Sequence, residues 1–274
     1  MERTVLITGC SSGIGAATAR RFHAEEWTVY ATARNTDDIE ALAELGCETQ
    51  PLDVTDRAHC RRAVDRIIDE QGRLDCVVNN AGYGLLGATE DVPTADVADQ
   101  FDVNVYGPHR LARAALPHMR ERGDGTIVNL SSVAGLMTGP GFGVYSGSKA
   151  ALESMSDALR REVAPFGVDV ALVEPGPVDT GFQSRAGEEL ERVREAGTGA
   201  YDDVYDFHAD RYALGNVGQT TPETVADVVF EAASSPDPDP RYPVGAAGRL
   251  ASFSRHLPTR WVDAAIGLAR RVIR

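Results

Sequence analysis

Tyr145 and Lys149 stand four residues apart in Tyr145-Ser146-Gly147-Ser148-Lys149. Lys149 is the only lysine among the 27 Lys and Arg residues of the chain. On a helix, residues at that spacing share a face. An ammonium beside a phenol stabilises the phenolate, so Lys149 is expected to draw the Tyr145 pKa down from its usual value of about 10. A tyrosine tuned in this way passes a proton near neutral pH. Arginine serves such a site poorly, because the site calls for a compact ammonium with three donors. The pair alone also fits an exposed lysine beside a packed tyrosine, so the rest of the chain must decide.

A second constellation lies at the amino end. Arg3-Thr4-Val5-Leu6-Ile7-Thr8 is a short β-branched apolar run and predicts a buried strand. It runs into Gly9-Cys10-Ser11-Ser12-Gly13-Ile14-Gly15 and then Ala16 to Phe22, which predicts a helix. Glycines let a backbone approach a pyrophosphate closely, and a helix N-terminus offers free N–H groups at the positive end of its dipole. A tight strand-to-helix turn would look similar, but this one opens a regular alternation.

The elements that must position these residues follow in order. Further strands are predicted at Trp27 to Ala33, Gly46 to Pro51, Leu74 to Asn79, Gly125 to Leu130, Val168 to Val173 and about Arg241 to Gly245. Helices are predicted at Asp37 to Leu45, Arg57 to Gln71, Phe101 to Arg122 and Tyr145 to Phe166. Such alternation implies a doubly wound parallel sheet of about seven strands with helices on both faces, in a single α/β domain. The 274 residues show no linker, low-complexity run or internal repeat.

With these motifs in place, the chain resembles the short-chain dehydrogenase/reductase family over about residues 3–245. The family's glycine motif is matched by Thr8, Gly9, Gly13, Ile14 and Gly15, and its Asn-Asn-Ala-Gly motif by Asn79 to Gly82. Asn104 matches its helix asparagine. Ser132, thirteen residues before Tyr145, matches its serine, and Pro175-Gly176 follows the sixth strand. Among members, the longer lid and tail look most like hydroxysteroid and retinol dehydrogenases.

The resemblance implies a Rossmann-type fold and a hydride transfer between a nicotinamide and a carbonyl or alcohol. Tyr145 becomes the general acid or base, Ser132 a donor to the carbonyl oxygen, Lys149 a holder of the nicotinamide ribose and Asn104 the anchor of a proton-relay water. Ser131 is the competing serine, one residue out of register. The implied cofactor contacts are Gly9, Ser11, Ser12, Gly13, Ile14, Gly15, Arg34, Asp53, Val54, Asn80, Ala81, Gly82, Tyr145, Lys149, Pro175, Gly176, Val178 and Thr180. NADP is expected over NAD, because Ala33 occupies the position where an NAD enzyme carries an acid, and Arg34 follows. A guanidinium there suits a 2′-phosphate, with Ser11 in support, and Asp53 suits the adenine amino group. A cofactor-binding redox sensor without turnover is the alternative, although such proteins usually lack the tyrosine or lysine. A purely structural protein would not need the set.

The lid is placed at about residues 178–219, rich in Tyr201, Tyr205, Phe207 and Tyr212, which suggests an apolar ketone, aldehyde or secondary alcohol. Residues 246–274 are expected to form a helical extension of the same domain. The net charge of −14 argues against nucleic acid as a partner. With the scarcity of lysine, it suggests a high-salt habitat. Residues 241–274 run the other way, with seven Arg and one acid, Asp263. From Trp261 onward their apolar residues fall near helical spacing, which suits packing on the acidic body, a partner subunit or an anionic membrane. No apolar run is long enough for a membrane span, and no signal peptide is evident, so a cytoplasmic location is expected. Cys10, Cys47, Cys60 and Cys76 show no paired spacing, and the histidines form no ligand pattern, so packed thiols and no catalytic metal are expected. A homodimer is expected through the helices at Phe101 to Arg122 and Tyr145 to Phe166, using the stripe Leu152, Met155, Leu159 and Val163, with a tetramer as the further possibility.

Overall fold

The structure, a computed structural model, describes residues 2–213, 219–254 and 258–273. Seven parallel strands form one sheet in the order β3-β2-β1-β4-β5-β6-β7. They are β1 (Thr4–Ile7), β2 (Thr28–Ala33), β3 (Glu48–Pro51), β4 (Cys76–Asn79), β5 (Gly125–Leu130), β6 (Val168–Pro175) and β7 (Arg241–Val244). The order reverses between β1 and β4, so the loops after these strands diverge and leave a crevice at their carboxyl ends. The central strands are buried throughout, as expected for a sheet covered on both faces.

One face packs α1 (Gly13–Ala24) and α9 (Pro222–Ser234), joined by Phe22, Trp27 and Phe230, whose rings meet edge-on. The other packs α3 (Arg57–Gln71), α5 (Gly107–Arg122) and α6 (Gly143–Val163), with Ile67, Leu111, Met119 and Val163 in its core. The predicted helix at Asp37 to Leu45 divides into a tight turn, Thr36–Ile39, and the short α2 (Glu40–Leu45), which stops at Gly46 with φ +109°. Gly46 therefore belongs to this helix end rather than to β3.

The helix predicted from Phe101 starts earlier. α4 (Thr94–Phe101) runs through a wide π-helical turn, Asp102–Tyr106, into α5. Such turns are rare and concentrate at functional sites. Here it contains Asn104. The segment expected to form the lid holds α7 (Phe182–Ala196) and α8 (Asp202–Ala213), and a parallel bridge between Val178 and Thr220 joins its two ends. Beyond β7 come α10 (Gly245–Ser254) and α11 (Thr259–Ile273).

One stabilising cluster involves residues far apart in sequence. Arg241 at the start of β7 donates to Glu153 of α6, to Glu174 of β6 at 2.8 Å and to Asp157 of α6 at 2.7 Å. Glu153 and Glu174 are buried, so the guanidinium locks α6 to the strand that leads into Pro175-Gly176.

The expected dimer stripe does not form an outward face. Leu152 and Val163 are buried, and Leu159 packs against the protein's own core; only Met155 is exposed. The sheet claims three of the four because α6 covers β6 along its length.

Candidate active site

The glycine loop is compressed against the loop after β4. A Cβ on Gly9 (φ +71°) would lie 2.9 Å from Ala81 Cα, and one on Gly15 would lie 2.2 Å from the Gly9 carbonyl oxygen. Asn80 fixes the approach: its Nδ2 donates to the carbonyls of Thr8 (2.8 Å) and Gly9 (3.0 Å). The Thr8 hydroxyl accepts from the N–H groups of Asn80 and Ala81 at 3.0 and 2.9 Å. Ser12 makes no side-chain cap on α1, so the first-turn N–H groups face the crevice without a side-chain acceptor. Across it, the Thr180 methyl would lie 3.0 Å from a Cβ on Gly13. Gly9, Gly13, Gly15, Asn80, Ala81 and Thr180 thus converge, with Ile14 turned into the core and Ser11 and Ser12 exposed.

At the outer end of the crevice, Ala33 is buried at the end of β2 and Arg34 is exposed. Asp53 accepts from the Thr55 N–H (2.9 Å) and hydroxyl (2.7 Å). Burial works to raise its carboxyl, but those bonds and the nearby charges of Arg34 and His59 hold it below its ordinary range. Val54 is buried against the start of α5, 2.9 Å from where a Cβ on Gly107 would stand. Pro175 pairs with Val244, and Gly176 lies against α10, while Val178 is buried at the lid bridge.

The catalytic candidates meet where β4, β5, α6 and the π-helical turn come together. The Lys149 ammonium is buried and donates to the Leu130 carbonyl at 2.7 Å, 6.0 Å from the centre of the Tyr145 ring. Ser132 is near enough to Tyr145 to act on its hydroxyl, and the serine oxygen accepts from the Ala134 N–H at 3.1 Å. Ser131 points elsewhere: its Oγ is buried near Gly135 and Glu153. Asn104 donates to the Tyr83 carbonyl (3.0 Å) and the Ser148 hydroxyl (3.1 Å), and accepts from the Tyr83 N–H at 3.2 Å. A Cβ on Gly82 would stand 3.0 Å from Asn104 Oδ1 and 3.7 Å from Lys149 Nζ, so a side chain there would crowd the space between these two groups.

The expected lowering of the tyrosine pKa is not what this geometry gives. Burial pushes the Tyr145 hydroxyl up to about 12, with the nearby Ser132 pulling the other way. Burial also pushes the Lys149 ammonium down to about 8. Shared burial outweighs the helix spacing.

Several residues of the site escaped the sequence analysis. Gln100, fully buried on α4, holds the loop after Gly82 by accepting from the Leu85 N–H and donating to the Tyr83 carbonyl, both at 2.7 Å. A buried chain runs from Asn79 to Asn129 (2.7 Å) and from Asn129 to Ser156 (2.8 Å), tying β4 and β5 to α6. Phe182, the first residue of α7, lies tilted against the Tyr145 ring, 5.6 Å between ring centres, and packs on Gly84. The aromatic residues of the lid gave the nearest signal for it.

Above Tyr145 the cover is apolar: Leu85, Leu86, Val144, Leu190, Val193 and Tyr205 form one cluster, with Phe142 and Phe182 packed against it. Asp91 clasps the lid, accepting from the Thr198 N–H (2.9 Å), the Thr198 hydroxyl (3.0 Å) and the Tyr205 hydroxyl (2.9 Å). Tyr201 bonds Glu90 beside it. The Tyr212 side chain lies outside the described residues, as do residues 214–218 of the lid.

Residues 3–191 match the family model for short chain dehydrogenases. The chain belongs to the short-chain dehydrogenase family. An uncharacterized oxidoreductase of Escherichia coli K12, YbbO, is 37% identical over 265 residues, covering 96% of this chain and 93% of the relative. Human 17-beta-hydroxysteroid dehydrogenase type 1 is 39% identical over 261 residues, covering 88% of this chain and 77% of the relative. A serine dehydrogenase solved in a closed form with NADP+ superposes with a TM-score of 0.75 at 29% identity, covering 87% of this chain and 93% of that one. Solved family members of similar fold hold NADP in some cases and NAD in another. This short-chain dehydrogenase is therefore an oxidoreductase by family. Its residues fit a dinucleotide: glycines leave the space a Cβ would fill, and a helix N-terminus faces that space.

Proposed function

We propose that this protein is an NADP(H)-dependent oxidoreductase acting on an apolar ketone, aldehyde or secondary alcohol. The observation that carries the reading is the meeting of Ser132, Tyr145 and Lys149 under a cover of apolar side chains. The glycine loop and the start of α1 would hold the pyrophosphate, Asp53 the adenine, Arg34 the 2′-phosphate, and Tyr145 and Lys149 the nicotinamide ribose. When bound, the cofactor supplies or accepts the hydride.

The protein's own groups manage the proton and the charge. Ser132 donates to the substrate oxygen, where negative charge grows during reduction. Tyr145, held neutral by burial, is suited to give its proton to that oxygen. In the direction of oxidation it must first lose the proton, which the Lys149 charge assists. Asn104 would hold a water on the route from Lys149 to solvent. The lid excludes bulk water and selects apolar substrates; the hydroxysteroid and retinol dehydrogenases among the similar proteins support that class. A homodimer stays part of the proposal, with the exposed Tyr106, Met155 and Phe166 as its apolar surface in place of the stripe read from the sequence.

The test is Tyr145→Phe, which removes one oxygen from a packed ring. NADPH binding and the melting temperature should hold while turnover of apolar carbonyls falls roughly 10²–10⁴-fold. A Phe variant as active as the parent would exclude the general-acid role and favour the sensor alternative.

A further inference from the structure

We propose that α11 docks this protein on an anionic lipid surface, next to the lid that covers Tyr145. At 100° per residue, Trp261, Ala265, Leu268, Ala269 and Val272 fall along one side of this helix sequence, and Arg260, Asp263, Arg270 and Arg271 fall on the other. Residues 245–274 hold six Arg against the single acid Asp263, in a chain whose net charge is −14. A basic amphipathic helix of this kind lies in the plane of a membrane interface. No helix among the described residues is long and apolar enough to cross one.

Exposure points to a partner that is both apolar and anionic. Trp261 is 68% exposed and Leu250 on α10 is 70% exposed, the two highest values among the large apolar side chains described. Arg249 and Arg260 are exposed, and among the described residues neither pairs with an acid. The tail's described cations are thus not spent on the protein's own acidic body. An acidic face of a second copy would offer charge without a continuous apolar layer, whereas a lipid interface offers both. Tryptophan also favours the headgroup level, where its ring is buried and its N–H stays wet.

Position gives the docking a use. α10 packs beside the turn Val133–Gly135 that follows Ser132, and α11 packs against α8 of the lid. A membrane bound there would meet the protein on the lid side, where an apolar substrate could pass from lipid to the site. That use rests on the carbonyl reading above; the docking does not.

The experiment is sedimentation of the full chain with phosphatidylcholine vesicles and with vesicles containing phosphatidylglycerol, at 0.1 M salt by choice. The protein should pellet with the anionic vesicles only. Intrinsic fluorescence should shift to the blue on binding, and Trp261→Phe should abolish the shift, because the remaining Trp27 is already buried. Each basic residue near such a surface is worth about fivefold, so Arg260, Arg270 and Arg271→Gln together should weaken binding about 100-fold. Turnover of a small water-soluble ketone should be unchanged in that variant. It reports on the carbonyl reading separately, since vesicle binding requires no substrate. Absence of pelleting, equal pelleting with both vesicles, or an unaffected triple variant would each overturn the proposal. So would a lipid-free dimer in sedimentation velocity that Trp261→Ala dissociates, combined with no vesicle binding.

Discussion

The Lys149 ammonium donates to the Leu130 carbonyl over 2.7 Å, and this bond ties the helix that carries Tyr145 to the strand end that leads into Ser132. A single charged group therefore sets the spacing of Tyr145 and Ser132 while sitting almost out of water. Burial of a charge is costly unless it is offset, and the fall of the Lys149 pKa to about 8 expresses that cost.

The cost should be visible in pH dependence. Below pH 8 the folded protein carries the buried charged form at full penalty. Between 8 and the ordinary lysine value of 10.5 the folded state sheds the proton while the unfolded chain keeps it, so the penalty lifts. Other groups oppose this at high pH, since burial raises Cys10 and Tyr145 to about 12. A difference measurement isolates the lysine. Urea unfolding of the parent and of Lys149→Met at pH 7 and pH 10 should show the gap moving in the parent's favour by about 2–3 kcal/mol. A gap that stays constant would mean that Lys149 keeps an ordinary pKa.

Arg241 carries a second stability prediction. It faces the buried carboxylates of Glu153 and Glu174 as well as Asp157. Removing one partner of a buried ionic cluster leaves uncompensated charge and costs about 3–5 kcal/mol. Arg241→Met should lose stability on that scale in denaturant titrations. Adding Glu153→Gln and Glu174→Gln to the variant should recover part of the loss. Equal stability of Arg241→Met and the parent would show the cluster to be energetically neutral.

This cluster also marks the limit of what the sequence discloses. The alternation of apolar runs with glycine turns was enough to read six strands, the family resemblance placed the seventh, and the fixed spacing of Ser132, Tyr145 and Lys149 singled out the set proposed as catalytic. Arg241 lies 88 residues from Glu153, and each looks like an ordinary surface charge until the sheet brings them together. Gln100 was hidden for the same reason, since nothing in Thr94–Phe101 sets it apart from Thr94, Asp96 and Asp99 as the polar residue that will be buried. The direction of the Tyr145 shift was misread because four-residue spacing reports proximity, while burial is a property of the whole fold. The dimer stripe failed likewise: periodicity finds an apolar face without saying what covers it.

Net charge supplies a further prediction. Surface pairs such as Arg66 with Glu48 and Glu70 weaken as salt rises, but exposed pairs are worth at most about 1 kcal/mol each. Excess charge of −14 on one domain repels itself, and salt screens that repulsion. The melting temperature should therefore rise from low to molar KCl. A flat or falling curve would count against a saline habitat and leave genomic base composition to explain the scarcity of lysine.

The proposed preference for NADP rests on Arg34. Ala33 ends β2 without a carboxylate to hold ribose hydroxyls or to repel a phosphate, and Arg34 stands exposed beside it, close enough to act on Asp53. A charge-assisted bond from this guanidinium to a 2′-phosphate is worth about 1.5–3 kcal/mol, or roughly 10–150-fold in affinity. Asp37 and Asp38 are exposed in the turn that follows, and their charge sets part of that gain back. Salt lowers it further, so kcat/KM for NADPH and NADH must be compared at one ionic strength. The parent should prefer NADPH. Arg34→Leu should erase most of that preference, and adding Ala33→Asp should reverse it, because the new carboxylate accepts from the ribose hydroxyls and repels the phosphate. Equal use of both cofactors by the parent, or a ratio indifferent to the loss of Arg34, would remove Arg34 from the cofactor site.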